Sequence, residues 1–419
     1  MKKAVVLLMV LTALFQPLWA NGGSDGGSDG RVTISYAFWD KNQEPGMQAM
    51  ADAFMAENPD IQVELQVSNW GDYWTKLEAA TLGGNMPDVF WMHVTRFDKY
   101  AGAGKLMPFS DMVAADPEVD YGNYPEGIAE LYTLDGVNYG IPKDFDTIGL
   151  IYNKDLFDAA GLDYPDSSWT WDTLVEAAKV LTDEENGVYG FAAAANRQES
   201  YYNFILQNGG SIIDTAANRT DFDSPQVIGA IQYLYDMIHV HKVSPTVQQM
   251  ADTKPQVMFS SGKVAMYYAG AWNVTWLTKK EATSQIADIA VLPRGVRRAT
   301  VYNGLANAAA ADTEHPEEVW RFVKFLGSRE ANLISASEGS AIPAFQGTQE
   351  PWINYNTDFN LAAFANQLED GFIYPYSKKS PQYMQFEEET VVKILNNEIG
   401  VEEGCRAIAA RINEVLASE

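Results

Sequence analysis

Apolar residues first fall on every second position. Val32, Ile34, Tyr36 and Phe38 alternate with small or polar neighbours, the period of a strand with one face against a core. After Trp39 and Asp40 the period lengthens: Pro45, Met47, Met50, Ala51 and Phe54 take helical spacing, and Asn58-Pro59 stops it, because a proline pushes the residue before it out of the helical region. Alternation resumes at Ile61, Val63, Leu65 and Val67. A second helix is predicted from about Asp72 to Leu82, and Gly83-Gly84-Asn85-Met86-Pro87 leads into a third strand, Asp88 to Met92. Strand, helix and strand in that succession predict a right-handed parallel unit, so the opening lobe is α/β.

Asp135-Gly136, between short apolar runs, predicts a two-residue hairpin turn. Ile141-Pro142 then forces extended backbone ahead of Lys143, Asp144 and Asp146, where the chain is expected to cross over. Ile148, Leu150 and Tyr152 alternate as one strand, and Asn153 or Asp155 caps a helix beginning near Leu156. Thr170 caps a helix with the stripe Trp171, Leu174, Val175, Ala178 and Leu181, and Ser224-Pro225 opens another. Val264 to Leu277 reads as a buried strand ending in Gly270 and Trp272. Ala287 to Leu292 and Ala299 to Leu305 read as short strands. Helices are predicted from Pro316 and over Glu388 to Asn396 and Glu402 to Leu416.

Trp39, Asp40, Asn69, Trp70, Trp91 and His93 all fall just past the carboxyl ends of the first three strands, where open parallel sheets collect ligands. Taken singly, Trp39 and Trp91 fit a core as well as a rim, and Asp144 and Asp146 fit solvated loop acids. Asp183 to Asn186 and Glu387 to Glu389 read as solvated acidic faces. His239 and His241, two apart at a helix end, do not share a face and predict no metal.

At 419 residues the chain has room for two or three domains, and 47% hydrophobic residues place it among folded proteins. The net charge of -27 repels phosphate backbones and anionic lipid, which excludes nucleic acid as a partner. Met1 to Ala20 reads as a secretory signal, with Lys2-Lys3, a short apolar run and a small residue at the cleavage point. Residues 21–30, NGGSDGGSDG, read as a flexible leader. Cys405 is the one cysteine, so no internal disulfide forms, and no cysteine near the cleavage point is present to carry a lipid.

The stretch Gly136 to Phe157, GVNYGIPKDFDTIGLIYNKDLF, resembles the opening of the second lobe in extracellular solute-binding proteins of bacterial carbohydrate import systems, the maltodextrin-binding type. PDVFWMHVTRFDKYAGAGKLMPF is similar to that family's third strand and following helix, with one residue more between Trp91 and Arg96 than its common pattern. Gly270-Ala271-Trp272 matches its G-x-W motif, Asn303-Gly304 its glycine on return to the first lobe, the helix from Pro316 its P-E-A-A-W-x-F-x-K-F-L, and Ser340 to Phe345 its last crossover. These pieces occur in the family's order over nearly the whole mature chain.

The resemblance implies an α/β, two-lobed periplasmic-binding-protein fold of type II, hinged, with a cleft between lobes. Residues 31–141 and 291–342 are expected to form the first lobe, and 142–290 and 343–419 the second. It further implies a periplasmic, monomeric receptor, not lipid-anchored, that captures a sugar, expected to be an oligosaccharide, and delivers it to the permease subunits of an ABC importer. No cofactor, metal or catalysis is expected. Ligand contacts are expected from Trp39, Asp40, Trp91, His93, Asp144, Asp146, Trp272, Asn303 and Gly304, the indoles stacking on sugar faces and the polar groups meeting hydroxyls; the role of Arg96 stays open. A secreted glycoside-acting enzyme and a sugar-sensing receptor component are the alternatives. Glycoside hydrolysis needs carboxyls on both sides of the scissile bond, whereas Asp144 and Asp146 reach from one segment.

Overall fold

The computed structural model describes residues 30–125, 127–214 and 217–418. The expected signal segment, 1–20, and the expected leader apart from Gly30 lie outside the described residues.

The opening pattern folds as its periods dictate. Val32–Phe38 pairs in parallel with Ile61–Val67 across the helix Glu44–Glu57, which buries Met47, Met50, Ala51 and Phe54. Helix Trp70–Gly83 starts at Asn69, whose side chain accepts from Asp72 N, and stops at Gly84, whose φ of 68° is left-handed. Val89–Met92 then pairs in parallel with the other edge of Val32–Phe38. Ala306–Ala309 lies antiparallel between Val89–Met92 and Ile141–Pro142 and completes a five-stranded sheet. An alanine run has low strand propensity, and nothing in its local pattern predicted a strand. The site is simply too narrow for larger side chains: a Cβ on Gly140 would fall 2.7 Å from the Ala306 Cβ.

The second sheet is antiparallel, in the order Ala287–Ala290, Ile148–Asn153, Met266–Gly270. Ile148–Asn153 is buried at all six residues, as a central strand covered on both faces must be, so its alternation described only half of it. The strand expected over Val264 to Leu277 stops at Gly270, and a 3-10 turn, Ala271–Asn273, and a helix, Val274–Lys279, follow.

Three passes of chain connect the two sheets side by side. Ile141–Pro142 and Asp144–Phe145 form the first, paired respectively with Ala306–Asn307 and with Ile342–Pro343, and Asp146 bridges to Asn303. The segment 291–342 was expected to lie with the first sheet throughout, and its opening part does not. Thr300–Tyr302 pairs with Gly371–Ile373, Val301 N donates to Asn203 Oδ1 at 2.8 Å and Arg297 Nε to Leu206 O at 2.7 Å. The chain joins the five-stranded sheet only from Ala306 onward, because hydrogen bonds to the helix that begins at Tyr202 hold it until Tyr302. Among the described residues no helix is long and apolar enough to cross a membrane.

Candidate ligand-binding site between the two sheets

The first sheet contributes an aromatic knot. Trp39, just past the first strand, meets Trp70, Tyr73 and Trp91 edge-on with ring centroids 5.0, 5.1 and 5.2 Å away. Trp70 is the open member, 43% exposed. Trp91 is not a rim residue as expected: it is completely buried, its Nε1 donates to Tyr36 Oη at 2.7 Å, and Lys143 Nζ stands 4.1 Å above its ring. No face of that indole is free to stack on a sugar. The strand ends inside the core because Ala306–Ala309 covers the edge that the sequence left bare.

Asp40 caps the turn Lys41–Gln43, accepting from Asn42 N at 2.9 Å and from Gln43 Nε2 at 3.0 Å. His93 opens the helix Val94–Gly102, with Nδ1 at 2.9 Å from Thr95 Oγ1 and Nε2 at 2.9 Å from the Asn303 side-chain amide. Burial, then the positive charges of Arg96 and Arg197, lower its pKa to about 3, so the ring is neutral. Trp70 stands edge-on to it at 5.4 Å.

The crossover residues divide. Lys143 Nζ bonds Asp144 Oδ2 at 2.5 Å and Gln43 Oε1 at 2.9 Å, and Leu305 N donates to Asp144 Oδ1 at 3.0 Å. Asp144 is therefore a buried ion-pair partner that ties the passes together, not a ligand acceptor as expected; both charges are compensated within the protein. Gly304 is also corrected. A Cβ there would fall 2.7 Å from Asp144 O and 2.9 Å from Ile128 Cγ2, so its missing side chain admits neighbouring chain rather than a ligand. Asn303, 1% exposed, keeps a buried Oδ1 with no partner among the described residues.

Asp146 is half-buried on the cleft side. Gln198 Nε2 donates to its Oδ1 at 2.8 Å, and burial, then the charge of Asp144, raises its pKa well above the usual carboxylate range. Gln198 belongs to a π-turn, Arg197–Tyr201, closed by Tyr201 N donating to Asn196 O at 3.0 Å. The next residue, Glu199, accepts from Gly270 N at 3.2 Å and Asn273 Nδ2 at 3.0 Å, and burial raises its pKa too. Trp272 folds back over Gly270: a Cβ on that glycine would sit 2.1 Å from the indole Cη2. The glycine of G-x-W is thus a bed for the ring, and Trp272 remains partly exposed.

One contiguous string of side chains results, from Trp39, Trp70 and His93 through Asn303 and Asp146 to Gln198, Glu199, Asn273 and Trp272. It carries apolar ring faces, acceptors and amide donors, which suits a polyhydroxylated ligand. Gln198 and Glu199 escaped notice because five residues of π-turn leave no hydrophobic period; Asn196 three residues before Glu199 was the one cue, a helix-start spacing. Among the described residues no group of three or more His, Cys, Asp or Glu stands where it could hold a metal ion.

The family described as bacterial extracellular solute-binding protein matches residues 40–333. The chain belongs to that family. Its fold is α/β and two-lobed, with a hinge and an interlobe cleft. An arabinooligosaccharide-binding protein of Halalkalibacterium halodurans is 32% identical over 200 residues, covering 47% of this chain and 43% of that protein. A maltodextrin-binding protein of Bacillus subtilis is 22% identical over 361 residues, 84% of this chain and 81% of the relative. Among solved structures, this solute-binding protein superposes on an ABC substrate-binding protein of Listeria monocytogenes, solved with cycloalternan, at a TM-score of 0.86 and 26% identity, covering 92% of this chain and 99% of the other. The GacH receptor of Streptomyces glaucescens, solved unliganded and with acarbose, gives 0.82 and 20%, over 92% and 99% of the two chains.

Proposed function

We propose that this solute-binding protein captures an oligosaccharide between its lobes and hands it to the permease of an ABC importer, working as a periplasmic monomer. The observation that carries the reading is the string from Trp70 to Trp272, which places exposed ring faces on both sheets with half-buried acceptors between them. Trp39, Trp70 and Trp272 stack on sugar faces. Asp146, Asn273 and the free amide oxygen of Asn303 meet hydroxyls. Names of relatives that bind arabino-oligosaccharide and maltodextrin, and a neighbour holding cycloalternan, support the substrate class.

The lobes divide at the three passes: residues 30–142 with 305–342 on one side, 147–302 with 344–418 on the other. The ligand selects the closed form, since only there do both halves of the string reach it. No bond is cleaved. Melting the protein with arabinotetraose, maltotetraose, cycloalternan and acarbose tests this, because a ligand at one hundred times its dissociation constant adds about 2.7 kcal/mol. No stabilisation by any of them defeats the proposal, and new reducing ends in the cycloalternan sample would make the protein an enzyme.

A further inference from the structure

The run Glu387 to Glu389, expected to be a solvated face, splits: Glu387 is completely buried on the helix Met384–Leu395. A helix turns successive side chains about a hundred degrees apart, and this one points its first acid inward against the π-turn. Tyr201 Oη donates to Glu387 Oε1 at 2.9 Å, and Tyr202 Oη to Oε2 at 3.2 Å. No cation bonds the carboxylate directly among the described residues. Arg197, the nearest positive residue on the π-turn, turns to Glu388 Oε2 at 3.0 Å and Met384 O at 2.6 Å. Thus a single helix grips both ends of the turn Arg197–Tyr201, whose middle carries Gln198 to Asp146 and Glu199 to Gly270 and Asn273.

We propose that Glu387 is a positioning residue for the ligand site, its ionised carboxylate holding the π-turn that presents Gln198 and Glu199, so that ligand affinity follows its protonation. The proposal rests on the reading of the cleft as a sugar site. An ionised carboxylate accepts both tyrosine hydroxyls at once. A protonated one must donate to one of them, and among the described residues neither hydroxyl bonds a second acceptor to take the displaced proton, which loosens the turn. The groups facing Glu387 are Tyr201 and Tyr202 from the turn and its helix, Arg197, Tyr374 past the strand Gly371–Ile373, and Glu388 and Tyr383 on its own side. Burial pushes Glu387 up to about 7, with Arg197 and the two hydroxyls acting against it. Tyr374 extends the contact to the other lobe, its ring centroid 5.6 Å from Tyr202 and 5.9 Å from His93.

The test titrates maltotetraose, arabinotetraose and cycloalternan into wild type, Glu387→Gln and Tyr201→Phe, one pH unit below and one above the expected midpoint of about 7. Wild type binds about fivefold tighter at the higher pH, the lower range of typical couplings. Asp146 and Glu199 also have raised pKa values but are present in every variant, so only the part that Glu387→Gln removes is assigned. Tyr201→Phe removes a donor to the carboxylate and moves the midpoint upward. In sugar-free protein, amide hydrogen exchange over residues 197–201, corrected for the intrinsic pH effect, slows at the higher pH in wild type and not in Glu387→Gln.

Superimposable pH profiles for wild type and Glu387→Gln overturn the proposal. If Glu387→Gln does not fold, an unmoved midpoint in Tyr201→Phe overturns it. If no sugar binds at either pH, the functional reading falls, while the exchange experiment still judges Glu387.

Discussion

Trp91 and Trp272 were expected to do one job from opposite lobes, and the fold gives them two. Trp91 stands one residue before the end of a strand whose both edges are paired, and its indole is sealed between Tyr36 and Lys143. Trp272 follows a strand that ends two residues earlier in Gly270, and its ring lies against that glycine while staying partly exposed. An aromatic at the end of a strand serves a ligand only where the sheet leaves space beyond it.

The largest effect that would test this contrast is on stability. Trp91→Ala should lose about 3–5 kcal/mol of folding free energy, read from chemical denaturation. The loss also removes the indole donor to Tyr36 Oη and the ring beneath Lys143 Nζ. A stable Trp91→Ala protein that has lost only ligand affinity would return Trp91 to the site. Trp272→Ala should do the reverse, weakening sugar binding by roughly 1.5–3 kcal/mol, the range for burying a large apolar side chain, while its melting temperature barely moves. Calorimetric titration beside a melt separates the two.

Gly270→Ala sharpens the comparison without replacing either ring. Its new methyl group lands on the Trp272 indole and should lift the platform, costing about 1 kcal/mol of affinity, the scale of an off-rotamer side chain. Unchanged titration would mean that the ring's seat is immaterial.

Asp146→Asn is the smallest change, and its two effects have opposite sign. Affinity should fall by about 1 kcal/mol, the net worth of one hydrogen bond. Stability at neutral pH should rise. Burial and the charge of Asp144 raise the folded-state pKa of Asp146, so its favourable contribution is complete below the unfolded value of roughly 3.9 and is lost as pH rises through the folded value. Denaturation curves across that window should show the decline in wild type and a flatter line in Asp146→Asn; equal slopes would remove Asp146 from the list of strained acids.

Much of the scaffold was legible because it is local. The period of two at Val32 to Phe38, the period of 3.6 at Met47 to Phe54, and the caps Asn153, Thr170 and Ser224 all stand where the pattern put them. Asp135-Gly136 takes positive φ at both residues, 51° and 78°, as a two-residue hairpin turn of that type requires. The Ala306–Ala309 strand was not legible, since its stability comes from two partners 160 or more residues away in sequence.

The sequence by itself determined the elements, their caps and the order of family motifs, because hydrophobic period and turn chemistry act over a few residues. It also narrowed the site to tryptophans and acids near strand ends. Only the tertiary structure decided which of them are available. Asp144 and Asp146 stand two apart on one extended segment, yet one is neutralised by Lys143 inside the crossover and the other meets Gln198 at the cleft. Glu387 and Glu388 are neighbours, one sealed under two tyrosines and the other paired with Arg197 at the surface. The physical reason is that a side chain's freedom to bind depends on what distant chain has already taken its hydrogen-bonding capacity and its surface, and no local pattern records that.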